Sequence, residues 1–287
     1  MRIASQFGFG LKLRSDMWVP GAIDLAPGLD LPSVRVVLGP AGKAGSEAHF
    51  AVDGEAIVYC HPTGVFRCLP DRIEVTPDGH PDLQDLGTLL VANALPAVLW
   101  QRGAFVLHAA CVRLAGGLTI AIAGASGSGK SRLAASLVEA GAELVGDDSL
   151  ALTADNGRVV AAGLPGGWFV RKPKSEHREF RHDPGGLARG MVQLDALAIL
   201  GQGAEAPLVG THLAALELLL QHRHRPQVPQ LLGLLPRVLS SAGRIVRDVP
   251  IFGMPSCTGS DAMVQLACSD LVSLANKARC DRRLAGA

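Results

Sequence analysis

The chain has 287 residues and a formal net charge of +1, with 27 Lys and Arg set against 26 Asp and Glu. Hydrophobic residues make up 48%, enough for a sizeable core in one large or two ordinary domains, and this excludes disorder over most of the length. Near-neutral charge argues against a nucleic-acid-binding surface, and no apolar run reaches the ~18 residues that read as a bilayer span.

The start, Met1-Arg2-Ile3-Ala4-Ser5-Gln6, lacks the apolar stretch of a secretory signal, so a cytoplasmic location is expected. Residues 1–80 read as a β-rich N-terminal region. Asp53-Gly54 turns a hairpin there, and 65–69 and 72–75 are further strands on either side of Pro70-Asp71. Residues 81–287 read as a second unit. Its apolar spacing from Asp82 to Trp100 favours a helix with a kink at Pro96. One strand is expected over 105–114, a tight turn at Ala115-Gly116-Gly117, and a buried strand from Leu118. Glu143-Leu144-Val145-Gly146 is the next strand, and 149–153 pairs with 158–162 around Asn156-Gly157. Residues 164–190 are basic and rich in Gly and Pro, which predicts a long mobile loop. Helices are expected at 211–221, 231–242 and 261–278. The cysteines Cys60, Cys68, Cys111, Cys257, Cys268 and Cys280 show no metal-site spacing and read as small apolar fillers.

The chemistry concentrates at Gly124-Ala125-Ser126-Gly127-Ser128-Gly129-Lys130-Ser131, which fits the phosphate-binding pattern G-x-x-x-x-G-K-[ST]. Glycines let successive backbone N–H groups turn inward around a polyphosphate, and the following helix aims its positive end at the same anion. Lys130 would reach the β- and γ-phosphates, and Ser131 would ligate Mg²⁺. An apolar strand precedes the loop and a helical run ending at Gly141 follows it, the order the motif requires. Asp147-Asp148, at the exit of the next strand, can divide the two carboxylate tasks of a kinase: holding Mg²⁺ and receiving the acceptor's proton. His108 lies in an apolar stretch expected to pair with the loop-bearing strand.

His108-Ala109-Ala110-Cys111-Val112, the Gly124–Ser131 loop and Leu144-Val145-Gly146-Asp147-Asp148-Ser149 together resemble the core of the HPr kinase/phosphorylase family. The resemblance covers residues 105–153 and implies an α/β fold: a P-loop kinase core with a mixed sheet, here preceded by the β-rich region. It implies a cytoplasmic serine kinase that uses ATP and Mg²⁺ on a protein or peptide and assembles as a homo-oligomer, commonly a hexamer. By position, Gly124, Ser126, Gly127, Ser128, Gly129, Lys130 and Ser131 would hold nucleotide, and Ser131 and Asp148 would hold Mg²⁺. Asp147 would be the acid/base group, supported by His108. Arg171 is a further candidate for the γ-phosphate, with Lys172, Lys174 and Glu176 near it in sequence.

The chain departs from the family downstream. In place of an E-[LV]-R-G-[LI]-G-type run stands Pro165-Gly166-Gly167-Trp168-Phe169-Val170-Arg171. The closer likeness is to divergent relatives that include tailoring kinases of lasso peptides, which phosphorylate a C-terminal serine. A guanine-reading [NT]-K-x-D segment and an L-S-G-G-Q-like run are both missing, which sets aside GTPases and ABC-type ATPases. A small-molecule kinase and a non-catalytic nucleotide sensor are the competing classes. The clusters His222-Arg223-His224-Arg225 and Arg244/Arg247 read as surface features.

Overall fold

The structure, a computed structural model, describes residues 5–171, 178–182, 185–202 and 211–285. It is a mixed α/β fold. Eight strands come first: β1 (Ser5–Gly8), β2 (Leu11–Ser15), β3 (Ile23–Asp24), β4 (Ser33–Leu38), β5 (His49–Asp53), β6 (Ala56–His61), β7 (Gly64–Leu69) and β8 (Arg72–Pro77). They form one sheet in the order β3-β1-β2-β4-β8-β7-β6-β5, parallel only where β4 meets β2 and β8. Burial alternates along β7 and β8, so Phe66, Cys68, Ile73 and Val75 enter the core while their neighbours face outward.

A helical segment follows as α1 (Leu83–Leu89), a π-helical turn (Leu90–Ala94) and α2 (Leu95–Gln101). Asp82 caps its start by accepting from the Gln84 amide. The expected kink at Pro96 is instead a change of winding just before it. Pro96 has no N–H for the carbonyl of Ala92, and that carbonyl accepts from Arg225 Nε at 2.8 Å. By length (19 residues) and by the mean hydropathy of its most apolar window (1.2) this segment could cross a membrane, yet 67% of that window is buried. Its apolar residues, Leu86, Leu90, Leu95 and Val98 among them, lie in the main hydrophobic core.

The remaining elements are β9 (Phe105–Leu107), β10 (Ala109–Arg113), β11 (Thr119–Gly124), α3 (Lys130–Glu139), β12 (Glu143–Gly146), β13 (Leu150–Asp155), β14 (Arg158–Ala162), β15 (Gly167–Arg171), β16 (Arg178–His182), β17 (Val192–Gln193), β18 (Ala196–Leu200), α4 (His212–Gln221), α5 (Gln227–Leu231), α6 (Leu235–Asp248), β19 (Ile251–Met254) and α7 (Asp261–Ala285). Five of these strands make the sheet that carries the site, in the order β12-β10-β11-β18-β19. Strands β11, β18 and β19 run parallel, while β10 is antiparallel to both β11 and β12. Strand β11 is buried on both faces: Ile120 and Ile122 pack with Leu133, Leu137 and Leu271 of α3 and α7, while Ala121 and Ala123 join the main core.

Three expectations need correction. The single strand over 105–114 is two strands in different sheets, since β9 pairs with β13 and β10 with β11 and β12. His108 is the residue between them rather than a strand position. The predicted mobile loop over 164–190 contains an antiparallel pair, β15 with β16, because Trp168, Phe169 and Phe180 supply strand-forming side chains inside a Gly/Pro-rich frame. Strands β18 and β19, absent from the sequence reading, are short apolar runs without alternation, which is what a fully buried parallel strand looks like.

Candidate functional site

The antiparallel insertion of β10 between β11 and β12 brings three chain positions to one end of the sheet. Ala109 at the start of β10 pairs with Ala123 near the end of β11, and Gly146 at the end of β12 pairs with Cys111. His108, Gly124 and Asp147 therefore meet at the same edge.

The glycine loop links β11 to α3 without a side-chain cap. Its last residue, Gly129, is the helix N-cap in the left-handed region (φ 97°). A Cβ there would run into the carbonyl oxygen of Cys257, whose amide donates to the Ser128 carbonyl at 2.8 Å. Only glycine fits both the angle and the contact. Gly127 also has positive φ (83°) and open space around it. The Ser128 hydroxyl is buried with no hydrogen-bond partner among the described residues. An unsatisfied polar atom and an uncapped helix start suit a loop whose partner is an anion. Lys130 is buried, and its ammonium donates to the carbonyls of Gly124 and Ala125, both at 3.0 Å.

Behind the loop, Ser131 Oγ donates to Asp147 Oδ1 at 2.7 Å, and the Phe169 amide donates to Asp147 Oδ2 at 3.2 Å. Asp147 is 3% exposed. Burial above all, and then the adjacent Asp148 charge, push its carboxyl up to about 6; the bonds from Ser131 and from the Phe169 and Asp148 amides oppose that rise. Asp148 has φ 70°, a left-handed conformation uncommon for a residue with a side chain. Its carboxylate lies 3.6 Å from His108 Nδ1, and its carbonyl accepts from the same nitrogen at 2.9 Å. Because a carbonyl only accepts, Nδ1 carries the proton and Nε2 of the neutral ring is the basic atom.

The pairing differs from the sequence expectation, which set Ser131 with Asp148 and His108 with Asp147. Here Ser131 faces Asp147 and His108 faces Asp148. The residue at the strand exit, Asp148, is left-handed, which the sequence does not announce.

His224, read from sequence as a surface residue, belongs to this group. It is 8% exposed, its Nδ1 is 2.6 Å from Ser149 Oγ, and its ring centre is 5.3 Å from that of His108. Residues 222–224 lie against the end of β9: the His108 amide donates to the His222 carbonyl and the His224 amide to Val106, both at 2.8 Å. The alternation His-Arg-His is the signal that could have found it, since period-two spacing reads as a strand edge with both histidines on one side. Burial, Lys130 and His108, in that order, hold His222 below its ordinary value. His108, Asp148 and His224 each offer a ligand atom, all within 4.8 Å of one another, a mixed nitrogen and oxygen set. Ser131 with Asp147 is an all-oxygen set of the kind Mg²⁺ prefers.

Two cavities open here. One of about 300 Å³ is lined by Lys130, Ser131, Asp147, Asp148 and Phe169; another of about 360 Å³ is lined by His222 to Arg225; His108 and Ser126 border both. Larger cavities of about 800 and 840 Å³ involve Arg113, Asp195, Arg237 and Arg244 and include none of the loop residues. Of Arg171 only the backbone, at the end of β15, is described; Lys172, Lys174 and Glu176 lie outside the described residues. Arg244 and Arg247 are on the surface as expected, both beside Asp248.

No protein-family profile and no curated protein matches the chain. Among solved structures, the HPr(Ser) kinase/phosphatase of Coxiella burnetii is similar at 16% identity and a TM-score of 0.38, over 62% of this chain and 96% of that one.

Proposed function

We propose that the chain is an ATP-dependent phosphotransferase whose glycine loop holds the triphosphate, and that its acceptor is a serine hydroxyl of a peptide or small protein. The observation that carries this is the arrangement of two separate carboxylates around one loop: Asp147 bonded to Ser131, Asp148 set against His108. A nucleotide-binding protein without chemistry has no use for the second pair.

The residues divide as follows. The loop N–H groups from Gly124 to Ser131 and the Ser128 hydroxyl bind phosphate oxygens, and Lys130 exchanges its bonds to the Gly124 and Ala125 carbonyls for bonds to the same phosphates. Ser131 and Asp147 would hold Mg²⁺, which offsets phosphate charge when bound. Asp148 receives the proton of the attacking hydroxyl, and His108, whose Nδ1–H lies 3.6 Å from the Asp148 carboxylate, orients that carboxylate. The acid/base role thus moves from Asp147 to Asp148, and the metal role the other way. The finest form of the proposal keeps the C-terminal serine of a ribosomally made precursor as the acceptor and a homo-oligomer as the acting species.

Radiolabelled ATP with Mg²⁺ and candidate acceptor peptides tests this. Transfer to serine is expected. Lys130→Ala should lose it together with nucleotide affinity, whereas Asp148→Asn should lose at least ~100-fold in rate and keep nucleotide affinity. Full activity of Asp148→Asn would return the acid/base role to Asp147. Transfer to sugars or other metabolites instead would move the protein to the small-molecule kinases, and binding without any transfer to the sensors.

A further inference from the structure

Among the described residues, one cluster of histidines and carboxylates brings three ligand atoms within 4.8 Å of one another: His108, Asp148 and His224. Its rings are set by the kind of hydrogen bond that fixes metal-ligating histidines, in which the other ring nitrogen is held on an oxygen. Nδ1 of His108 donates to the Asp148 carbonyl at 2.9 Å. Nδ1 of His224 lies 2.6 Å from Ser149 Oγ, a hydroxyl that can accept. In that tautomer both rings present an Nε2 lone pair, and their centres are 5.3 Å apart at a tilt of 31°. Asp148 and His224 are buried, while both histidines line the cavity of about 360 Å³. A small ion has a way in through it, and a water has room to complete the coordination. His222, on the same cavity, is held toward its neutral form by burial, Lys130 and His108, so it sets little charge against a cation.

We propose that His108, Asp148 and His224 form a site for Zn²⁺ or a like transition-metal ion, with ligands distinct from the Mg²⁺ pair Ser131 and Asp147, and that its occupation switches phosphoryl transfer off. Two nitrogens and an oxygen suit zinc, whereas Mg²⁺ prefers oxygen throughout and keeps its waters. A dication on the Asp148 carboxylate lowers its affinity for the acceptor's proton, and the ion stands on that hydroxyl's approach. The switching rests on the phosphotransferase reading; the binding does not.

The test titrates the metal-free full chain, without nucleotide, with Co²⁺ as a spectroscopic stand-in and then with Zn²⁺ in competition. One-to-one binding is expected, with the visible bands of a nitrogen and oxygen site, no thiolate charge-transfer band and no displacement by excess Mg²⁺. His224→Ala and the bulkier His224→Gln should each weaken it at least about tenfold, with melting curves showing that the variants fold. No binding, a thiolate band, displacement by Mg²⁺, or affinity unchanged in both variants overturns the site. Transfer from ATP with Mg²⁺ to a serine peptide should fall at least about tenfold when Zn²⁺ is buffered above its dissociation constant, and His224→Gln should relieve that loss. Saturating Zn²⁺ that leaves transfer intact overturns the switch. Zinc binding by a chain that transfers phosphate to no acceptor overturns the phosphotransferase reading instead and leaves the metal site standing.

Discussion

Asp147 is the residue where structure and chemistry conflict most openly. Its carboxyl is buried beside another carboxylate, and its proton is held up to about pH 6 against 3.8 in the unfolded chain. The folded state therefore binds that proton more tightly than the unfolded state. The stability this gives is fully present below about pH 4 and is lost as pH rises through about 6, a change on the order of 3 kcal/mol. At pH 8, without metal or nucleotide, Asp147→Asn should raise the melting temperature by several degrees, since it removes a buried charge while an amide oxygen can still accept from Phe169. At pH 4 the same substitution should change it little. Calorimetry at both pH values checks this, and a lower melting temperature at pH 8 would mean the charge is already compensated. The same proton explains why a metal held by Ser131 and Asp147 should bind more tightly above pH 6 than below it.

At the scale of elements, the junction of β11, the loop and α3 is fixed by backbone contacts as much as by sequence. Gly129 joins a left-handed angle to a close approach by the Cys257 carbonyl. Gly129→Ala should cost at least about 2 kcal/mol, from the disfavoured angle and the forced separation of the two segments; urea unfolding would show it, and a loss under 1 kcal/mol would mean the segment after β19 moves aside freely. This junction was legible in the sequence because the motif, its preceding strand and its following helix are contiguous. So were β12, the β13–β14 hairpin with its Asn156-Gly157 turn, and the helix α4. The partition of 105–114 was not legible, because Phe105, Val106, Leu107 and Ala109 are all apolar and only the switch of sheet at His108 divides them. Nor was the role of His224, which depends on residues 222–224 meeting β9 more than a hundred positions earlier. A pattern read along the chain carries no term for such a meeting.

For the whole molecule, a single hydrophobic core runs from the eight-stranded sheet through α2 to β11 and β18, while a smaller cluster seals α3 and α7 against the other face of the five-stranded sheet. The loop is thus backed by rigid packing on both sides, the support a preorganised phosphate site requires. The edge that carries the loop is assembled from β10, β11, β12 and the turn after α4, so its geometry depends on the assembled fold rather than on the motif alone. The central claim is that this edge holds a nucleoside triphosphate through the loop. Titration calorimetry of the full chain with ATP and Mg²⁺ tests it most directly. One-to-one binding that Lys130→Ala weakens by at least about tenfold, equivalent to 1.4 kcal/mol, is the predicted result; no binding, or binding indifferent to Lys130, would contradict it.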